Sequence, residues 1–263
     1  MNQRTFRVAT VIVVALSSLV LFGCPKKQTV AEPEADIVVA EDGTGDYYSI
    51  SRAIAKAEPG DVIYVRPGVY EEAVEVDVDD IALVGAGPDR TIIDADGDYA
   101  ALTLAAEEAD VSGFTLRGAS SHGIYIKDGH QRVDHCLIVD NEDRGIYFSS
   151  FSGSPSADID HCTIADNDVS GIYSPTDSPR TSITNCIVAY CNRGIVSDEN
   201  EGGMTVDHNC VYNDSEDFDR VTRGRGNITE DPEFVDPEDG DYRLGPDSPC
   251  RGQADDGMDM GCF

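Results

Sequence analysis

Tryptophan is absent from this 263-residue chain, and basic residues are few: 19 Lys and Arg stand against 50 Asp and Glu, a formal net charge of −31. A body this negative repels phosphate backbones, which excludes nucleic acid as a partner. No C-x-x-C pair occurs, which excludes the thiolate zinc sites built on that spacing. The uncharged apolar run Val8 to Phe22 has 15 residues, fewer than a membrane-spanning helix needs. What is present is a 40% hydrophobic fraction, enough for a core and contrary to wholesale disorder. The acidic excess suits a salty or cation-rich medium and leaves surface-bound divalent cations open.

Arg4 and Arg7 precede the apolar run as a basic n-region, so residues 1–24 are predicted to be an export signal outside the fold. The run ends in Leu21-Phe22-Gly23-Cys24, which resembles the lipobox of bacterial lipoproteins. The resemblance implies a diacylated Cys24 at the mature N-terminus, a lipid bilayer as partner, and a place in the bacterial cell envelope, at the outer membrane or cell surface. Residues 25–36 carry Lys26, Lys27 and Pro33 without apolar periodicity and read as a flexible tether. At roughly 3.5 Å per residue such a tether keeps the body within some tens of ångströms of the membrane.

Residues 37–263 are predicted to form one domain. Within it the strings beginning at Val111, Val133, Ile159, Ile183 and Val206 align as VSGFTL, VDHCLI, IDHCTI, ITNCIV and VDHNCV, spaced by 22, 26, 24 and 23 residues. A second series follows at fixed offset: Gly123-Ile124-Tyr125, Gly145-Ile146-Tyr147, Gly171-Ile172-Tyr173 and Gly194-Ile195-Val196. These segments lack a 3.6-residue period and are rich in Val, Ile, Thr and Tyr, so they are predicted strands, two in each repeat. Strands that cannot pair inside their own unit must stack on its copies, in parallel, at about 4.8 Å per step. The predicted fold is therefore all-β, a single-stranded parallel β-helix with clear repeats over 111–216 and a C-terminal cap region over 217–263. DVIYV, IALVG, TIID and ALTL, between Asp61 and Leu104, read as irregular first turns. Ser51 to Ala57, stopped by Pro59-Gly60, reads as a short N-terminal capping helix.

Stacking also accounts for the cysteines. Cys136, Cys162 and Cys186 hold equivalent positions, with Phe114 before and Asn209 after, and are expected to be small core residues. Asn141 and Asn167 coincide at bends, where an amide can bond backbone and its own copy. Seven cysteines follow Cys24, an odd number, so one at least is unpaired; Cys250 and Cys262, closing a Gly- and Asp-rich loop, are the disulfide candidates.

IVVAEDGTGDYYSISRAI from Ile37 and PGDVIYVRPGVYEEAVEV from Pro59 resemble the N-terminal section of the pectin lyase-like β-helix superfamily, which includes the pectin methylesterases. The repeats from Val111 and the C-terminal DPEFVDPEDGDYRLGPDSPC with DMGCF are similar to secreted bacterial members. The resemblance implies a right-handed coil. It also implies that pectin methylesterase activity is excluded, because that family's QDTL-like, DFIFG-like and Trp-containing motifs are missing.

Three outward rows are candidates for chemistry. Tyr125, Tyr147 and Tyr173 line up to bind sugar rings or to stack on one another. Asp134, Asp160 and Asp207, beside His135, His161 and His208, could supply paired carboxylates for acid/base catalysis, or could sit there because Asp and His tolerate bends. Arg144 and Arg193 precede the second-strand glycines, where a base for a lyase acting on acidic sugars could sit. Asp166 and Asp168, in DNDVSG, match the start of a Ca²⁺ loop, although the preceding repeat has DNEDRG there. The expected function is an envelope-anchored protein that binds or processes an extracellular polysaccharide as a lyase or glycoside hydrolase. The alternative is a non-enzymatic, adhesin-like lipoprotein with the coil as a stiff spacer.

Overall fold

A computed structural model of the protein describes residues 32–150, 155–175, 180–198 and 203–263. Short runs of β-branched and aromatic residues, each too short to pair with itself, wind through about seven turns of an all-parallel solenoid. Each complete turn gives one strand to each of three sheets. The first sheet has eight strands, from Ile37–Val39 to Thr205–Asp207; the second has seven, from Gly68–Glu71 to Cys210–Tyr212; the third has seven, from Val74–Val76 to Glu216–Asp219. One turn runs His130–Asp134, Leu137–Val139 and Arg144–Phe148, and the next begins at Ser156–Asp160.

Two strands per repeat were expected and three are found. The string VDHCLI is two strands, because His135 takes a left-handed backbone (φ 46°) and bends the chain from the first sheet to the second. His161, Asn185 and His208 do the same one, two and three turns on, at φ 45°, 56° and 54°. His and Asn are among the few non-glycine residues that visit this region often. The segments between Asp61 and Leu104 are regular members of the sheets, with Ile63 opposite Leu83 and Ile92 opposite Thr115.

Register places like on like. Val133 pairs with Ile159, and Ile124, Ile146, Ile172 and Ile195 form one inward column with no exposed surface. Each such side chain contributes about 1.5–3 kcal/mol relative to leaving it in water. The Gly145 position shows why that column is preceded by glycine. A Cβ there would stand 2.4 Å from the Ile164 side chain and 2.7 Å from the Gly171 carbonyl oxygen. Cys136, Cys162 and Cys186 are fully buried in the core, as expected. The Asn141 amide donates to the Asn167 carbonyl (2.9 Å), and Asn167 donates in turn to the Ile138 and Ala165 carbonyls.

Helix among the described residues is limited to Ile50–Ile54 and a 3-10 turn at Pro237–Asp239. The capping helix expected over 51–57 is corrected to those five residues. Ser49 caps its start, while the Glu72 carboxylate accepts from the Ile50 and Ser51 amides at 2.7 and 3.1 Å. The C-terminal segment, with an antiparallel pair Phe234–Asp236 and Asp241–Leu244, packs Tyr242, Cys250, Met260 and Cys262 against Leu137, Val139, Ala165 and Ile187. The strands Leu137–Val139, Thr163–Ala165 and Ile187–Ala189 of the second sheet are thereby buried on both faces, which explains their nearly continuous apolar sequence.

Candidate functional site

With the later strands of the second sheet covered by the C-terminal segment, the third sheet presents a row of partly exposed aromatics. Tyr125, Tyr147 and Tyr173 follow one another with ring centroids 5.6 and 5.9 Å apart, near parallel. Arg144 lies over the Tyr147 and Tyr173 rings, 5.4 and 4.5 Å from their centroids, and pairs with Asp143. Tyr173 donates to the Asp198 carboxylate; burial and that charge push its pKa up to about 12. Arg193 belongs to the same sheet but pairs with Asp219 at 3.0 Å, with Ser170 between it and Arg144.

His122 completes this face and was missed in the sequence. It stands one turn before Arg144 in register, so extending the Arg144, Ser170, Arg193 row backward by one repeat would have found it. Its ring stacks on Tyr147 at 4.4 Å, its Nε2 meets the Tyr99 hydroxyl at 3.1 Å, and its Nδ1 lies 3.9 Å from Asp143. Only 2% of His122 is exposed. Burial first, and the Arg144 charge second, lower its pKa to about 4, so it is neutral at physiological pH. The Nε of Arg144 is buried and has no acceptor among the described residues. The face thus combines an aromatic floor, a carboxylate, a guanidinium with a spare donor and a neutral imidazole.

The aspartate row lies elsewhere. Asp134 and Asp160 are register partners at the end of first-sheet strands, followed by Thr184 and Asp207. Burial works to raise the Asp160 pKa, but hydrogen bonds from His161, Thr184 and Asn185 outweigh it and hold the carboxyl below its usual range. Asp207 pairs with Arg225 and accepts from its amide at 2.8 Å. The structure therefore does not bring this row to the arginines or tyrosines.

Asp166 and Asp168 line a cavity of about 630 Å³ together with Asp140, Asp214, Glu238 and Tyr242. One Asp166 oxygen accepts from Tyr242 at 2.7 Å; burial, then the Asp140 and Asp214 charges, outweigh that bond and raise its pKa. The expected Cys250–Cys262 disulfide is corrected: both are free, buried thiols. The Cys262 amide is drawn to Thr163, and Cys250 meets Cys210 instead. Cys24 lies outside the described residues.

Two family descriptions match the chain, Pectinesterase over residues 36–128 and Right handed beta helix region over 107–231. A protein of Arabidopsis thaliana named as a pectinesterase/pectinesterase inhibitor is 32% identical over 130 residues, 44% of this chain and 26% of its own length. Pectinesterase 2 of Citrus sinensis is 43% identical over 65 residues, 23% of this chain and 13% of its own. The chain thus spans about a quarter or less of these relatives. The solved pectin methylesterase from carrot aligns over 82% of this chain and 99% of its own, at 15% identity and a TM-score of 0.39. The Pectinesterase match overturns two expectations, the exclusion of a pectin methylesterase and the non-enzymatic, adhesin-like alternative. The exclusion rested on short catalytic strings, whereas the similarity is spread along the early turns. The lyase and glycoside hydrolase readings fall with it.

Proposed function

We propose that the protein is an esterase acting on an esterified acidic polysaccharide of the pectin type, with its site on the tyrosine face. The observation that carries this reading is the Pectinesterase match, which runs through Tyr99, His122 and Tyr125 of that face. Sugar rings lie against Tyr125, Tyr147 and Tyr173, and uronate carboxyl groups meet Arg144, whose charge offsets the repulsion of an acidic body. Asp143 takes the proton of the attacking water, Arg144 holds the negative charge that develops on the ester carbonyl, and the alcohol leaves with the proton from Asp143. Neutral His122 contributes an uncharged wall beside Asp143.

The apolar run and lipobox-like end support export and lipidation at Cys24, with residues 25–36 as tether to a bilayer of the cell envelope and 37–263 as the working domain. The helix Ile50–Ile54, with Ile50, Ala53 and Ile54 buried beside the first strand, supports a role in closing that end of the coil.

The test is alcohol release from methyl-esterified pectin by the purified chain, beside Asp143→Asn and Arg144→Gln. Methanol release by the wild type, lost in both variants while circular dichroism is unchanged, is the expected result. No release by the wild type from any esterified polyuronide overturns the reading.

A further inference from the structure

We propose a second site, independent of the tyrosine face: a divalent-cation site of the zinc class at the corner between the first and second sheets, built by His161, His135 and Asp134. One ligand atom from each of these residues lies within 4.8 Å of those of the other two. A single buried nitrogen carries the argument. His161 is only 6% exposed at its side chain, and its Nδ1 is 3.2 Å from Asp160. Its Nε2 is buried without a hydrogen-bond partner among the described residues. An imidazole whose far nitrogen is held by a carboxylate while the near one is left without a hydrogen-bond partner is the arrangement metal-binding histidines adopt, the near nitrogen giving up its proton as the ion binds.

His135 stands one turn earlier, beside Asp134, which here is a ligand of the group and not an outer support. Its Nδ1 meets Asp134 at 2.7 Å, and its ring stacks on His161 with centroids 5.0 Å apart and planes 9° from parallel. Both residues hold the same left-handed backbone, so both rings leave the chain in the same direction. Two ligands of one tetrahedral zinc ion stand about 3.4 Å apart, given metal–nitrogen distances of about 2.1 Å. The site must therefore contract, and His135, 45% exposed, has room to tilt. Asp256, in the C-terminal segment, puts a carboxylate oxygen 3.7 Å from the His161 Nε2, close to the separation of two ligands on one ion. Its neighbour Asp255 is already fixed to the next turn, where the Asn185 amide donates to it at 2.9 Å. Imidazole nitrogens with carboxylate oxygens select a borderline ion such as Zn²⁺ over Ca²⁺, which takes oxygen alone. The ion would pin the C-terminal segment to the coil.

The chain itself supplies the conservative variant. Asn185 occupies the His161 position one turn on, with the same backbone, so His161→Asn should preserve the bend. Zn²⁺ titration of the purified full chain by calorimetry should give one site, weakened on the order of 100-fold in His161→Asn and in His135→Asn. The thermal midpoint of metal-free protein should stay near that of wild type in both. Co²⁺ should give visible bands of four-coordinate intensity without thiolate charge transfer, since the thiols lie in the core. No stoichiometric Zn²⁺ binding by the wild type, equal binding by wild type and both variants, or a cobalt–thiolate band would each overturn the proposal.

Discussion

His122 and Tyr147 lie face to face across one step of the coil, 4.4 Å between ring centroids, with the histidine almost wholly out of solvent. That contact links protonation to stability. The His122 pKa falls to about 4 in the folded protein, against about 6.5 unfolded. Between those values the unfolded chain binds a proton that the folded chain refuses. The contribution is intact above pH 6.5 and is lost as pH falls toward 4, at about 1.4 kcal/mol per unit. Urea midpoints at pH 7 and pH 4.5 should fall further apart in wild type than in His122→Gln. His161 is shifted the other way, upward, because its aspartate partners outweigh burial, so it titrates above this window.

The tyrosine floor is tested by kinetics. Tyr147→Ala removes the ring between His122 and Tyr173, and should raise KM for a long polyuronide with a smaller effect on kcat. Equal KM in wild type and variant would show that the stack only stabilises the sheet.

Gly145→Ala should destabilise the coil by roughly 1–3 kcal/mol, the usual cost of overpacking, because its Cβ meets the Ile164 methyl and the Gly171 carbonyl. Gly240 has positive φ with open space around it, so Gly240→Ala should show only the smaller backbone cost, about 1 kcal/mol. Denaturant unfolding of the two variants side by side separates these causes.

Asn167→Leu deletes the acceptor for Asn141 and both donors to the Ile138 and Ala165 carbonyls inside the core. Each buried group left unpaired costs about 1–3 kcal/mol, so this single change should lower the melting temperature more than any of the substitutions above.

Thiol chemistry should separate anchor from core. Burial pushes the Cys136 and Cys162 pKa values far up, and raises those of Cys191 and Cys262 to about 12. Seven thiols should label only after unfolding, with no disulfide to reduce. Cys24→Ala should release the protein from a membrane fraction without changing that count.

The coil was legible because stacking repeats residue types: the Cys136, Cys162, Cys186 column and the Gly-Ile-Tyr series are visible as aligned letters. What stayed hidden was either a backbone angle that the letters do not show or a contact that does not repeat. The break at His135 is a backbone angle inside an otherwise strand-like string, and so one strand per turn was missed. His122 has no histidine above or below it, and its partner Tyr99 lies at a bend 23 residues earlier, just ahead of the strand Ala100–Leu104. Asp256 reaches His161 only because the C-terminal segment doubles back along the second sheet. No spacing rule announces such a contact.

That doubling back changes how the molecule should come apart. Coils whose turns touch only their neighbours can fray from an end, one unit at a time. Here Tyr242 holds Asp166, Asp255 holds Asn185 and Cys262 holds Thr163, contacts 76, 70 and 99 residues apart in the chain. The C-terminal segment works as a splint, so several turns should melt together. Removing it would strip cover from Leu137, Val139, Ala165 and Ile187 at once, leaving an apolar ridge on which copies of the chain would associate.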